Sequence, residues 1–300
     1  MHTYLGIDIG GSGFKYGWGN SQSGLQYFSS VALKNKTMEA FQAAAAEVLK
    51  ETDQRFGLSR LAGIGIGTPG TIDLSTGLIT GVNPNLHFWT GKDPRELVPA
   101  DLQLPIRFDN DANLMALAEA KASGKKNILG ITVGSGIGCG IVINGAVHHG
   151  AHGFAGELGH VCVVENGAKC NCGRLGCLES YCSVDGIRNR LAEQHPRYAD
   201  LTLSQVLSLR ASDPLVQDYI REGLKQLCAS VARLIVVCDP EAIIFGGGAM
   251  DLGLYSLQDL KAETGKNLPE LNLTGTELKT AVHGNRAGVL GAIMLFEDSN

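Results

Sequence analysis

No long run of lysine and arginine occurs in this 300-residue chain, whose 25 basic residues are outnumbered by 30 acidic ones for a formal net charge of −5. Nucleic acid is therefore not an expected partner, because phosphate contacts need clustered basic side chains. No apolar stretch approaches the ~20 residues that a membrane span requires. The most apolar segments, such as Leu234–Cys238, are cut short by Asp239-Pro240-Glu241. A charged start followed by an apolar core is also lacking, so no secretory signal is expected and the expected compartment is the cytoplasm. Low-complexity tracts and obvious linkers are missing too. Eight cysteines would permit a disulfide framework, but without a signal, free thiols plus a metal site suit a chain of this length better. These absences leave a soluble globular protein, long enough for two domains, with a small molecule as its expected ligand.

Glycine is plentiful, at 40 residues against the usual ~7%. The glycines gather directly after apolar, β-branched runs, which suggests strands ending in turns that approach a ligand closely. YLGIDIGGSGFKYGWGN (Tyr4–Asn20) reads as strand, glycine turn and returning strand. ILGITVGSGIGCGIVING (Ile128–Gly145) has the same form, with Leu5–Gly10 lying over Leu129–Gly134 at an offset of 124 residues. Two copies of one unit suggest two similarly folded halves. Between them, a helix is expected over Thr37–Thr52 with Thr37 as its cap, and a buried strand over Leu61–Gly67. A short strand, Ile106–Phe108, runs into a helix that begins near Asn110-Asp111 and stops at Gly124. Further on, a long helix is expected over Asp213–Cys238, a strand-to-glycine unit in DPEAIIFGGGAM, and a last helix over Arg286–Glu297. The alternation makes this an α/β protein. The repeat sets the domains: a small α/β domain over 1–115, joined by the C-terminal segment 286–300, and a larger one over 116–285.

Gly65-Ile-Gly67-Thr-Pro-Gly70 matches the dinucleotide fingerprint letter for letter. That fingerprint must open a helix, whose N-terminus holds the pyrophosphate. Turn and strand residues follow here, so the match is rejected. The turns GGSG (Gly10–Gly13) and GSGIG (Gly134–Gly138) are better placed for phosphate, since backbone N–H groups can converge where Cβ atoms are missing. Asp8, at the end of the first strand, suggests a hydrated Mg2+ nearby. Asn110-Asp111-Ala112-Asn113 has two readings: a helix cap, or a carboxylate, Asp111, that takes a proton from a hydroxyl attacking phosphorus, with Asn110 orienting the substrate.

HVCVVENGAKCNCGRLGCLES (His160–Ser180) places Cys170, Cys172 and Cys177 within eight positions, His160 ten residues before the first and Glu179 two after the last. A redox pair would need a helix N-terminus to lower a thiol pKa, and this loop offers none. Three thiolates and an imidazole make a closed tetrahedral set, the mark of structural zinc. Gly173 and Gly176 would supply the turns. The other cysteines, Cys139, Cys162, Cys182, Cys228 and Cys238, read as buried small hydrophobes.

The motifs DIGGSG, GIGTPGTID, DNDAN, TVGSGIGCGIV, GFAGELGH, CNCGRLGCLES and FGGG stand in the order found in the ROK (repressor, open reading frame, kinase) sugar kinases, which the chain resembles from Leu5 to its last helix. The resemblance implies an actin-like (ribonuclease H-like), duplicated two-domain ATPase fold with sugar and ATP in the cleft between domains, and commonly a homodimer. Carried over by motif, Asp111 is the catalytic base. Gly70, Asn85, Asn110, Glu157, His160 and Glu179 line the sugar site. Asp8, Gly10, Gly11 and Ser12, with Thr132, Gly134, Ser135 and Gly136, surround the phosphates and magnesium. Gly246, Gly247 and Gly248 lie against the adenosine. His160, Cys170, Cys172 and Cys177 hold structural zinc, so that one histidine meets both metal and sugar. The chain departs from the family's usual DIGGTK in reading DIGGSGFK, which replaces threonine by Ser12 and leaves Lys15 without an assigned place. The implied activity is ATP-dependent glucose 6-phosphorylation. Within the same resemblance stand N-acetylglucosamine, N-acetylmannosamine and fructose kinases. Polyphosphate is a weaker donor candidate, because the resembling polyphosphate enzymes lack the cysteine cluster. A sugar-responsive repressor would carry a DNA-binding helix-turn-helix ahead of the first motif, where only seven residues precede Asp8. A non-catalytic sugar-binding protein is disfavoured by the intact Asp111.

Overall fold

Strand β1 (Thr3–Gly10) shows why this sequence alternates as it does. Successive strand residues point to opposite faces, so Leu5, Ile7 and Ile9 share one face while Gly6, Asp8 and Gly10 share the other. Strand β4 (Leu61–Thr68) follows the same rule, with Ile64 and Ile66 on one face and Gly63, Gly65 and Gly67 on the other. The apolar faces bury themselves against helix α1 (Met38–Arg55) through Phe41, Ala44, Ala45, Val48 and Leu49. Thr37 caps that helix as expected, its hydroxyl accepting from Ala40 N–H at 3.3 Å.

The computed structural model describes residues 2–81, 86–269 and 275–296. It divides into two compact units: Met1–Ala118 with Ala146–Ala155 and Asn285–Asn300, and Glu119–Gly145 with Gly156–Gly284. In the first unit, β2 (Gly13–Asn20), β3 (Gly24–Ala32) and β5 (Ile106–Asn110) complete a sheet of order β3-β2-β1-β4-β5. β1 pairs antiparallel with β2 and parallel with β4, which pairs parallel with β5. In the second unit, β6 (Ile128–Val133), β7 (Ile137–Ile143), β8 (Ala242–Gly246) and β9 (Glu277–Thr280) run in the order β7-β6-β8-β9. The pairing repeats: antiparallel between β6 and β7, parallel between β6 and β8 and between β8 and β9. The sequence repeat is thus one topology used twice.

Helix α2 (Asp111–Ser123) follows β5, and α3 (Pro214–Cys238) covers the second sheet. Asp213 caps α3 by accepting from Leu215 and Val216 N–H, with Pro214 at the first helical position, where its missing donor costs nothing. The apolar stripe read from the sequence is the buried face: Val216, Tyr219, Leu227, Val231 and Ile235 join the core. Among the described residues, no helix is long and apolar enough to cross a membrane.

Helix α4 (Ala287–Met294) lies on the bare faces of β1 and β4. A Cβ on Gly6 would stand 2.3 Å from the Val289 carbonyl oxygen, and one on Gly65 would stand 2.0 Å from that of Ala292. The helix contributes its own glycines: a Cβ on Gly291 would meet the Leu114 carbonyl oxygen of α2 at 2.1 Å, and one on Gly288 would meet the Asp8 carboxyl carbon at 2.6 Å. Many glycines of the first unit therefore serve backbone-to-backbone packing, where a ligand approach was expected. This corrects the reading from composition, since clustering after apolar runs cannot tell a helix from a ligand. Gly65→Ala should cost at least about 2 kcal/mol, the scale of overpacking a rigid contact, whereas Gly11→Ala, exposed with nothing within 4 Å of its built Cβ, should stay within about 0.5 kcal/mol of the parent. Chemical denaturation of the two variants measures both, and equal losses would contradict the packing account.

Candidate active site

In the first unit, the parallel register sets Asp8 beside Gly67 and Gly67 beside Asp109. The carboxyl ends of β1, β4 and β5 thus carry Asp8, the Thr68–Gly70 turn and Asn110-Asp111 side by side. Ligands of open α/β sheets bind outside such strand ends. Lys15 finds its place here: it faces Asp8 across the β1–β2 hairpin, its Nζ 3.6 Å from Asp8 Oδ2. Asp8 is only 9% exposed, and burial raises its carboxyl above the ordinary value while Lys15 pulls it down. Gly10 ends β1, and the Gly11-Ser12 turn is exposed beyond it.

Asn110 takes the helix-capping role. Its Oδ1 accepts from Ala112 N–H at 2.9 Å, and its Nδ2 donates to the Gly70 carbonyl at 3.1 Å. Gly70 itself needs its lack of a side chain, with φ at +96° and Ile79 Cγ2 2.9 Å from a built Cβ. Asp111 opens α2, half-buried, and accepts from Ala112 N–H. Its carboxyl is pushed up to about 7, first by burial and then by the nearby Asp8 charge, against the Ala112 hydrogen bond and Lys15. Asn85 lies outside the described residues.

Sequence reading passed over a neighbouring cluster. Asp109, 4% exposed, lies 2.7 Å from His149 Nε2 and accepts from Asn113 Nδ2 at 2.9 Å. The carboxylate raises His149's proton affinity, with burial opposing. This cluster braces the strand-to-helix junction that presents Asp111. The only sequence signal for it is the flanking letters of DNDAN, read together with a histidine forty residues away.

In the second unit, Gly246 stands beside Thr132 in the parallel register. Gly247, at φ +97°, packs on Val133, whose carbonyl oxygen would lie 2.5 Å from a built Cβ. The Gly246–Gly248 turn and the Thr132–Gly136 turn therefore share one edge. Thr132 Oγ1 accepts from Gly138 N–H at 3.1 Å, and Ser135 is exposed. Glu179 closes over this turn: its Oε2 accepts from Ile137 N–H at 2.9 Å, and only a glycine at 136 leaves room for it. Burial raises the Glu179 carboxyl, with the Ile137 N–H and His160 opposing.

His160, Cys170, Cys172 and Cys177 offer one ligand atom each, all within 4.8 Å of one another. Cys172 and Cys177 Sγ lie 3.7 Å apart, and Cys170 Sγ lies 3.7 Å from His160 Nδ1. A tetrahedron with the Zn–S and Zn–N bond lengths has edges of about 3.6–3.8 Å, so the set fits zinc. Burial and the crowding of neighbouring thiols hold the Cys177 thiol well above its ordinary value, and a cation is what would let several thiolates coexist there. Gly173 and Gly176, at φ +89° and +75°, make the turns. The other ring nitrogen, His160 Nε2, turns away from the cysteines and lies 3.9 Å from Glu157 Oε2. All eight cysteines are unpaired. Cys139, Cys182 and Cys228 are buried as expected, but Cys162 and Cys238 are exposed. Cys162 lies on the outer side of the loop, and Cys238 ends α3 beside the 79%-exposed Val237, so neither meets the core.

Compared with known proteins, the sequence matches the ROK family over residues 4–299. The chain belongs to the ROK family. Among its relatives, a glucokinase of Halalkalibacterium halodurans is 33% identical over 312 aligned residues, covering 96% of this chain and 93% of that protein. An N-acetyl-D-glucosamine kinase of Salmonella typhimurium is 29% identical over 311 residues, covering 97% and 98%. Among solved structures, a ROK family glucokinase from Streptomyces griseus in complex with glucose and AMPPNP superposes with a TM-score of 0.83 at 26% identity, covering 98% of each chain. The fold is the duplicated α/β, actin-like ATPase fold of the ROK proteins.

The raised Asp111 carboxyl makes a stability prediction for this ROK protein without any substrate. A carboxyl whose folded pKa exceeds its unfolded value favours the fold when protonated, and that advantage is lost as pH rises from about 4 through about 7. Asp111→Asn removes the penalty. It should leave stability unchanged near pH 4 and raise it above pH 7, by on the order of a few kcal/mol. Thermal melts across that range check this, and a destabilised variant at pH 8 would contradict it.

Proposed function

We propose that this ROK protein is an ATP-dependent hexose kinase that converts glucose to glucose 6-phosphate. The observation that carries the reading is Asp111, a half-buried carboxyl at a strand–helix junction with its pKa near neutrality. A general base works best with a pKa near the operating pH. Asp111 takes the proton from the sugar hydroxyl as its oxygen attacks the γ-phosphorus of ATP, and Asn110 keeps the junction in register through Gly70. Asp8 would hold hydrated magnesium, which when bound neutralises charge on the phosphate oxygens. Lys15 supplies positive charge beside it. The glycine turns at Gly10–Ser12, Thr132–Gly136 and Gly246–Gly248 supply backbone donors and close approach to the nucleotide. Glu157, His160 and Glu179 bind sugar hydroxyls.

The zinc-fitting cluster deepens this role. A closed set of three cysteines and one histidine leaves no position for substrate, so its influence passes through its ligands and the loop they tie down. His160 faces the cysteines with Nδ1 and Glu157 with Nε2, and Glu179 follows Cys177 by two residues. The cluster therefore supports sugar recognition and performs no step itself. An acetylhexosamine is the second reading, supported by the Salmonella typhimurium relative.

In a coupled assay of ADP release, glucose should give a larger kcat/KM than N-acetylglucosamine or N-acetylmannosamine, and a larger value for either acetylated sugar would overturn the choice of substrate. Because the base must be ionised, kcat/KM should fall on the acid side of a midpoint near 7. Asp111→Asn should retain glucose binding while losing about 10²–10⁴-fold in turnover; near-parental turnover would remove Asp111 as the base.

Metal analysis should find one zinc per chain. Cys172→Ala should weaken glucose binding while largely sparing ATP affinity, as read by separate titrations. Protein prepared without chelator and free of zinc would count against the site, and equal loss of both ligands would mean that the cluster holds the whole unit together.

A further inference from the structure

Cys162 faces Cys177 across a short antiparallel bridge in the loop. The flanking hydrogen bonds run from Leu178 N–H to the Val161 carbonyl at 2.9 Å and from Val163 N–H to the Gly176 carbonyl at 2.8 Å. Bonds on both sides and none within the pair make it the non-hydrogen-bonded type. Opposed residues of that type stand closest, with Cα atoms about 4.5 Å apart and side chains on one side of the ribbon. That spacing is inside the roughly 4.4–6.8 Å that a disulfide spans. The Cys162 sulfur lies 3.6 Å from the Val164 carbonyl oxygen and 3.2 Å from where a Cβ of Gly176 would stand, so the side chain must turn from that carbonyl to meet Cys177. The two thiols differ in access: Cys162 is exposed, while Cys177 is 1% exposed. They differ in role as well, because Cys177 belongs to the four-residue cluster and Cys162 does not.

We propose that Cys162 and Cys177 are a peroxide-driven disulfide site that withdraws Cys177 from the four-residue His160–Cys170–Cys172–Cys177 cluster. In the first step the Cys162 sulfur attacks one oxygen of hydrogen peroxide and the O–O bond breaks. The sulfur becomes a sulfenic acid, and the departing hydroxide combines with the thiol proton as water. The Cys177 sulfur then attacks the sulfenic sulfur; the S–S bond forms, the S–O bond breaks, and the departing hydroxide takes the Cys177 proton as a second water. Two thiols and one peroxide give one disulfide and two waters, the two sulfurs supplying both electrons. The exposed thiol meets the oxidant, and the buried one resolves it. Loss of Cys177 opens one corner of the cluster and disturbs Glu179, two residues on. That last consequence rests on the zinc reading; the disulfide needs only the two cysteines.

The test treats the reduced full-length protein with about one equivalent of hydrogen peroxide. It follows metal release with a colorimetric zinc chelator and maps unreduced peptides by mass spectrometry. The expected result is a Cys162–Cys177 peptide pair, lighter by about 2 Da than the two thiols, appearing in step with zinc release and reversed by dithiothreitol. Cys162→Ser should phosphorylate glucose at the parental rate before peroxide and release zinc at least about tenfold more slowly after it. Zinc release from Cys162→Ser at the parental rate, or a disulfide confined to Cys170, Cys172 and Cys177, would overturn the proposal. Zinc content before treatment tests the metal reading separately: zinc-free protein that still forms the Cys162–Cys177 link refutes the metal reading and supports this one.

Discussion

The first unit is held together by a contact that has no room for a methyl group. Helix α4 rests its carbonyl oxygens on Gly6 and Gly65, and turns its own glycines toward Leu114 and Asp8. One short helix thus fixes two strands, the start of α2 and a carboxylate in a single packing arrangement. Interiors this close-packed cannot deform smoothly, so the helix sets distances in the site as well as stability. Gly288 is the clearest link, because its missing side chain is the space that Asp8 occupies. Desolvating Asp8 leaves it a poorly solvated charge near Asp111, and the rise at Asp111 follows from both.

Electrostatically, both units hold acids in a state that waits for a positive partner. Asp8 and Asp111 share one half-buried lysine, so their full ionisation leaves an uncompensated charge in a poorly hydrated place. In the second unit, Glu179 and the Cys177 thiol are likewise pushed toward their neutral forms. A buried acid that resists ionisation has lost its water, and a cation restores what the water supplied. The arrangement suits groups that must bind metal or take a proton, and would be wasteful in a merely structural core.

Much of this was legible in the letters. The period-two alternation of LGIDIG and AGIGIG placed the strands, Thr37 and Asp213 marked helix starts, and the repeat announced one topology used twice. Lys15 was within reach too: a hairpin that pairs Gly10 with Gly13 must pair Asp8 with Lys15, yet the sequence reading left it unplaced. The glycine faces were harder, because an empty side chain records that something approaches and not what it is. Gly65, Gly67 and Gly70, which imitate a nucleotide fingerprint, serve a helix carbonyl, Leu114 and Ile79 respectively. The Asp109–His149 contact joins segments forty residues apart with no spacing rule between them. Cys162 was misjudged because cysteine composition favours burial, whereas the loop's ribbon faces it outward.

The first unit is discontinuous in sequence, with Ala146–Ala155 and Asn285–Asn300 completing what Met1–Ala118 begins. Synthesis runs in one direction, so the first and last of these segments leave the ribosome far apart in time. At about 5–20 residues per second, the stretch between Ala118 and Asn285 takes on the order of 10–30 s to emerge. Throughout that interval β1 and β4 have their apolar faces ready to close on α1, while their glycine faces lack the helix that fits them. The second unit, Glu119–Gly145 with Gly156–Gly284, can finish its own sheet first. The unit that carries Asp8 and Asp111 is thus begun before the second unit and completed after it.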